Sequence, residues 1–334
     1  MAGNKPTIKQ KIVREYVKKF PRISNYALAN KIFKEHPLQF STAENIRTMI
    51  RYITGNGGSD KNKEVKDKSL VRPARASNDY VLPQSYANDF TPYEIKQSRI
   101  LIISDLHFPY QNNEAIILAL DYGKEKKVDC ILINGDLIDF ATISRHEKDW
   151  RARSVADEFD SVRMFLNTLR LHFPKSKIVY KHGNHCERWE KFLYNKAPEI
   201  FDVNDFQLEI LLKLGELKVD TVKDKRPIKM GKLVALHGHE LAGGGAGGVN
   251  PSRATFLKTL DSVIVGHYHK TSQHTETTMS GEVISVNSTG CLCDLNPLYM
   301  PINKHNLGFA YCELNIITGD YVLENKKIIK GKIY

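Results

Sequence analysis

The sequence has no apolar run that approaches the roughly 18 residues of a membrane-spanning helix, so no membrane partner is expected. Its first residues, Met1-Ala-Gly-Asn-Lys-Pro-Thr, lack the apolar core of a secretory signal. The expected compartment is the cytoplasm. Five cysteines, odd in number and irregular in spacing, argue against a disulfide framework and fit reduced thiols. Cys291-Leu-Cys293 lacks the second pair that a zinc site would need and reads as buried thiol in a strand. The glycine run from Gly243 to Gly248 lacks the Lys-Ser/Thr ending of a nucleotide-binding loop and reads as a mobile turn.

What remains is a chain of 334 residues with 41% hydrophobic content, enough to bury a large core. Its net charge of +11 is unevenly placed: residues 1–54 hold 11 Lys and Arg against 3 acids, leaving only +3 for the rest. An anionic partner is expected at that end. Helices are expected over Thr7–Phe20 and Asn25–His36, each closed by a proline, and from Ser41, with Ser41 as cap and Glu44 completing a capping box. Arg47 and Arg51 share a face of the third helix. Residues 1–54 resemble a helix-turn-helix module, although the pattern also suits a small basic bundle for protein contact. Residues 55–98 read as a linker followed by an extended segment, and residues 99–334 as the catalytic domain.

The catalytic segment opens with Ile100-Leu-Ile-Ile-Ser-Asp105-Leu-His107. After a helix-length interval, Asn112 to Lys126, comes Cys130-Ile-Leu-Ile-Asn-Gly-Asp136-Leu-Ile-Asp139. Each is a short apolar, β-branched run that ends abruptly in acid or imidazole, the pattern of parallel strands delivering functional groups to one crevice. Further runs end in Asn184 and His185, in His237 and His239, and in His267 and His269. Helices are expected over Ser154–Leu171, Glu187–Asn195, Phe206–Leu214 and Pro251–Leu260, and the runs beyond Thr271 read as antiparallel strands and hairpins. So many unpaired imidazoles and carboxylates would cost several kcal/mol each in a core. A bound cation removes the conflict.

The order D-x-H, G-D-x-x-D, G-N-H, H, G-H-x-H over Arg99 to Lys270 resembles the calcineurin-like metallophosphoesterase superfamily. The resemblance implies an α/β fold, a β-sandwich of two mixed sheets flanked by helices, with two divalent metal ions at the strand ends. It assigns Asp105, His107 and His269 to one metal, Asn184, His237 and His267 to the other, and Asp136 to both. His185 would sit beside the substrate and Asp139 would orient it. Mixed Asp, Asn and His donors suit Mn²⁺, Fe or Zn²⁺ better than Ca²⁺.

Two positions depart from the family pattern. Cys186 stands where many relatives have an acid, with Glu187 one place later, and Phe140 stands where Ser/Thr protein phosphatases carry a phosphate-clamping Arg. Arg145, His146 and Arg188 are candidate substitutes for that clamp. His239 and Glu240 match no ligand position. The expected activity is metal-dependent hydrolysis of a phosphate ester, by a phosphodiesterase or nuclease whose N-terminal module holds nucleic acid. The alternative is a phosphomonoesterase acting on a nucleotide, small metabolite or phosphoprotein. A binding protein with an inactive centre is disfavoured, because a relic would be free to lose ligands.

Overall fold

The computed structural model describes residues 6–21, 23–55, 70, 90–144, 154–242, 248–298 and 300–334. The expected linker, most of the segment that follows it, Arg145, His146, Trp150 and the glycines from Gly243 to Gly247 lie outside the described residues. The chain divides into two compact units, residues 1–87 and 88–334.

The N-terminal unit holds α1 (Ile8–Lys19), α2 (Asn25–Glu35) and α3 (Ala43–Ile53). Thr7 and Gln10 close a capping box on α1, and the Ser24 hydroxyl caps α2. The third cap differs from expectation. Thr42, not Ser41, is extended and accepts the Asn45 N–H, while Ser41 takes the Asn45 side-chain amide and Glu44 pairs with Arg47. Two adjacent hydroxyls competed for one role, and the one with strand-like backbone angles fills it. The stripes Val13/Val17, Leu28/Ile32 and Ile46/Ile50/Ile53 bury a common core, which Leu70 joins.

The second unit runs β1 (Tyr93–Glu94), β2 (Arg99–Ile103), α4 (Asn113–Glu125), β3 (Cys130–Asn134), α5 (Val155–His172), β4 (Lys177–Lys181), α6 (Cys186–Lys196), α7 (Leu208–Leu211), β5 (Val219–Val222), β6 (Ile228–Met230) and β7 (Leu233–Leu236). It continues through α8 (Pro251–Thr259), β8 (Val263–Val265), β9 (Ser272–Thr277), β10 (Val283–Ser288), β11 (Leu307–Leu314), β12 (Tyr321–Ile329) and β13 (Lys332–Ile333). One sheet has the order β13-β12-β11-β2-β3-β4-β5, parallel from β2 to β5; the other has β1-β6-β7-β8-β10-β9. Both are mixed, and the fold is the expected two-sheet α/β sandwich.

The period-2 alternation of strand side chains builds its layers. Ile100, Ile102, Leu132 and Val179 face Ile228, Met230, Ala235 and Ile264 of the other sheet. Their neighbours Leu101, Ile103, Ile131, Ile133 and Tyr180 turn the other way, onto Ala115, Ile116, Val162 and Leu166 of α4 and α5. Val263, Val265 and Val286 pack with Phe256 of α8 on the outside of the second sheet. Near-continuous apolar strands are thus explained by burial on both faces.

Some elements differ from expectation. The Phe206–Leu214 segment breaks into a 3₁₀ turn and the one-turn α7. β5 and β6 were not foreseen, and β10 pairs parallel with β8 as well as antiparallel with β9. Among the described residues no helix is long and apolar enough to cross a membrane.

Candidate metal centre

The acid- and imidazole-bearing loops follow the C-terminal ends of β2, β3 and β4 in one sheet and of β7 and β8 in the other. Parallel pairing within each set brings all five ends to one edge. Asp105, His107, Asp136, His267 and His269 all have φ between 46° and 65°, the left-handed region that L-residues avoid. Such backbone costs about 1–3 kcal/mol per residue and clusters where side chains must be aimed at a site. The motif glycines leave room for that convergence. A Cβ on Gly183 would lie 2.2 Å from Asp136 Oδ1, and one on Gly135 would lie 2.1 Å from His237 Nδ1.

Two groups of donor atoms result. In the first, His107 Nε2 lies 3.2 Å from His269 Nε2, and His269 Nε2 is 3.3 Å from Asp105 Oδ1. In the second, His237 Nε2 is 3.3 Å from Asn184 Oδ1, and His267 joins Asp136 and His237 with donor atoms within 4.8 Å of one another. Asp136 reaches both: its Oδ2 is 3.1 Å from His237 Nε2 and 3.8 Å from His107 Nε2. The structure therefore brings together every residue expected to bind metal.

His237 and His107 are each aimed through the other ring nitrogen, as metal-binding histidines are. His237 Nδ1–H donates to the Asn134 carbonyl (2.8 Å), and His107 Nδ1 lies 2.9 Å from Asp139 Oδ1. His185 Nδ1–H donates to the Asp139 carbonyl (3.0 Å), and its own N–H donates to Asp136 Oδ1 (2.9 Å). Asp139 thus orients His107 as well as His185. Burial works against ionising Asp105, Asp136 and Asp139, yet the surrounding imidazoles hold all three below the usual carboxylate range. Burial lowers His107 and pushes His267 down to about 4, which favours the neutral, ligand-competent ring. Burial also disfavours charge on His237, but the Asp136 and Asp105 carboxylates outweigh it and raise the ring to about 9. Converging Asp, Asn and His donors at these separations fit divalent cations.

A family model described as Calcineurin-like phosphoesterase matches residues 98–271. The chain belongs to this family. Calcineurin-like phosphoesterases hydrolyse phosphoric esters with divalent metals, and this one is a hydrolase of that class. It is similar to the Gene 54 protein of Mycobacterium phage L5, 29% identical over 181 residues that span 52% of this chain and 69% of the phage protein. Among solved structures it resembles Vacuolar Protein Sorting 29 from Cryptosporidium parvum (16% identity, 71% of this chain and 95% of that one, TM-score 0.38). Yfce, a phosphoesterase from E. coli, matches at 12% identity over 68% and 98% of the two chains, with a TM-score of 0.33.

The departures from the family pattern have structural accounts. Phe140 is fully buried and stacks on Trp189 at 5.9 Å, so no clamp issues from that position. Its N–H donates to Glu158 of α5, whose carboxyl, 1% exposed, is pushed up to about 8 by burial, with the Asp139 charge adding to the effect. Cys186 lies beneath the G-N-H loop, its Sγ 2.7 Å from the Tyr180 hydroxyl and accepting the Gly183 N–H. Glu187 pairs with His239 at 2.9 Å.

Three contributors match no ligand position, and of these Lys181 carried no signal in the sequence. Cys293 Sγ lies 3.8 Å from His269 Nδ1, outside any strand, in the place that a carboxylate takes beside His107 and a carbonyl beside His237. Lys181, fully buried, forms an ion pair with Glu240 at 2.9 Å and donates to the Arg226 carbonyl. Glu240 in turn accepts the backbone N–H groups of His237 and Gly238 at 3.0 and 2.6 Å, fixing the turn that presents His237.

Proposed function

We propose that this phosphoesterase is a dinuclear phosphodiesterase, a nuclease that acts on nucleic acid held by its N-terminal unit. Asp105, His107 and His269 would hold one metal and Asn184, His237 and His267 the other, with Asp136 available to both. The observation that supports a dinuclear centre is the position of Asp136 Oδ2 between the two imidazole groups, a feature that diester and monoester hydrolysis would share. The chemistry that two divalent ions would supply when bound is a low-pKa water and neutralised phosphate oxygens. The protein's own residues aim and protonate. Asp139 holds both His107 and His185, so His185 meets substrate in a fixed orientation, without binding metal, where it acts on the leaving oxygen.

Support for nucleic acid comes from charge. Residues 1–54 carry +8 of the chain's +11, and α3 exposes Arg51 and Tyr52, while Arg47 is partly neutralised by Glu44. A helix-turn-helix role for α1 to α3 would place these groups against phosphate. The test is hydrolysis of bis-p-nitrophenyl phosphate, p-nitrophenyl phosphate and single- and double-stranded DNA and RNA by the purified chain loaded with Mn²⁺, Fe²⁺ or Zn²⁺. Cleavage of the diester and of polynucleotide is expected. Turnover confined to the monoester would overturn the nuclease reading and identify a phosphomonoesterase.

A further inference from the structure

Arg188 lies in the first turn of α6, three residues after His185. Its guanidinium donates through Nη1 to the Asp139 carbonyl at 2.8 Å, and its Nη2 lies 3.0 Å from His185 Nε2. An arginine can only donate, so Nε2 is the acceptor and the proton of His185 sits on Nδ1, in agreement with the Nδ1 bond to Asp139. Among the described residues, the carboxylate oxygen that pairs with it is Asp139 Oδ2, 3.8 Å away and without a hydrogen bond to it. The contact that balances Arg188 is therefore electrostatic and incomplete.

The fold places this cation against two preferences. A positive group is disfavoured at a helix N-terminus, and a long side chain loses freedom when four-fifths covered; the Arg188 side chain is 19% exposed. Two of its five N–H groups are used by the contacts above, and the planar fork that carries them matches two oxygens of one anion. Among the described residues, the other cations on the ligand loops are committed elsewhere. Lys181 is fully buried against Glu240, and Lys270 donates to the Val249 carbonyl.

Resting on the phosphoesterase reading of this centre, we infer that Arg188 grips a non-bridging phosphoryl oxygen of the substrate. It leaves His185 Nε2 as it does so and frees that nitrogen to take up a proton from water and pass it to the leaving oxygen. Arg188 and His185 then act on one phosphoryl group from one loop, and what is recognised is the phosphoryl group itself, whatever the rest of the ester.

The experiment uses the full chain loaded with metal and inorganic phosphate as probe. Arg188→Ala should retain wild-type metal content by elemental analysis yet bind phosphate roughly 10- to 100-fold more weakly by calorimetry, the loss of one or two hydrogen bonds to a charged group. Its kcat/KM on bis-p-nitrophenyl phosphate should fall at least as far. Arg188→Lys should recover part of both, and millimolar guanidinium should restore Arg188→Ala several-fold, which a merely structural side chain would not allow. Phosphate binding within twofold of wild type, or loss that follows metal loss and resists guanidinium, overturns the inference while leaving the phosphoesterase reading intact. If the unmodified protein neither binds phosphate nor cuts any ester, both fall together.

Discussion

Replacing Glu158 with Gln should change how stability depends on pH. The residue is 1% exposed, one carboxyl oxygen accepts the Phe140 N–H at 2.5 Å, and the other has no hydrogen-bond partner among the described residues. Burial raises its pKa from 4.5 to about 8, so the folded chain keeps a proton that the unfolded chain releases. A raised acid pKa stabilises fully below the unfolded value and loses that contribution as pH climbs through the folded one. Across the window from about pH 4.5 to 8 the slope approaches 1.4 kcal/mol per pH unit, a total of roughly 5 kcal/mol at most. Gln keeps the shape and the acceptor but cannot ionise. Urea denaturation of the two proteins at half-unit steps from pH 5 to 8.5 measures the difference directly, because all other groups are common to both. Wild type should lose stability relative to Glu158→Gln as pH rises. Curves that run parallel through this window would refute the idea that Glu158 is buried as the neutral acid.

Other outcomes follow from the same geometry. Asp136→Asn should lose metal and turnover together; two metals per chain with near-normal rates would end its proposed shared role. His185→Ala should keep its metal and slow the chemical step by roughly 10²- to 10⁴-fold, and stoichiometric metal loss would make it a ligand instead. Lys181→Met leaves Glu240 buried and uncompensated and should cost about 3–5 kcal/mol, visible as a lowered Tm; an unchanged Tm would mean that the pair is solvated. Removing residues 1–56 should leave bis-p-nitrophenyl phosphate hydrolysis nearly unchanged while polynucleotide binding and cleavage at low salt fall together. Equal cutting by the truncated chain would assign the basic unit to another partner.

The central strands and the ligand order were legible because one physical requirement wrote both. A strand buried on two faces must be apolar throughout, so Asp105, Asp136, Asn184, His237 and His267 stand out as abrupt polarity at strand ends. Edge strands carry no such mark. Val219-Asp-Thr-Val of β5 is half polar, and its place is set by pairing with β4. Lys181 reads as the frayed end of a strand, since its counterion Glu240 comes from the other sheet's loop and only the assembled sandwich buries it. Cys293 meets His269 through the packing of two loops, a contact that spacing does not encode. Ser41 and Thr42 are chemically near-equivalent caps, and residue type does not tell which hydroxyl meets the Asn45 N–H.

The donor residues come from both sheets and span the chain from Asp105 to His269. In time, this means that the centre does not exist until nearly the whole sandwich has assembled. Closing such long loops must precede any reward from the metal. Bound metal would therefore act late, as a latch on the finished fold and not as a seed for it. Chelation should speed unfolding and leave the refolding rate nearly unchanged, the behaviour of contacts absent from the transition state.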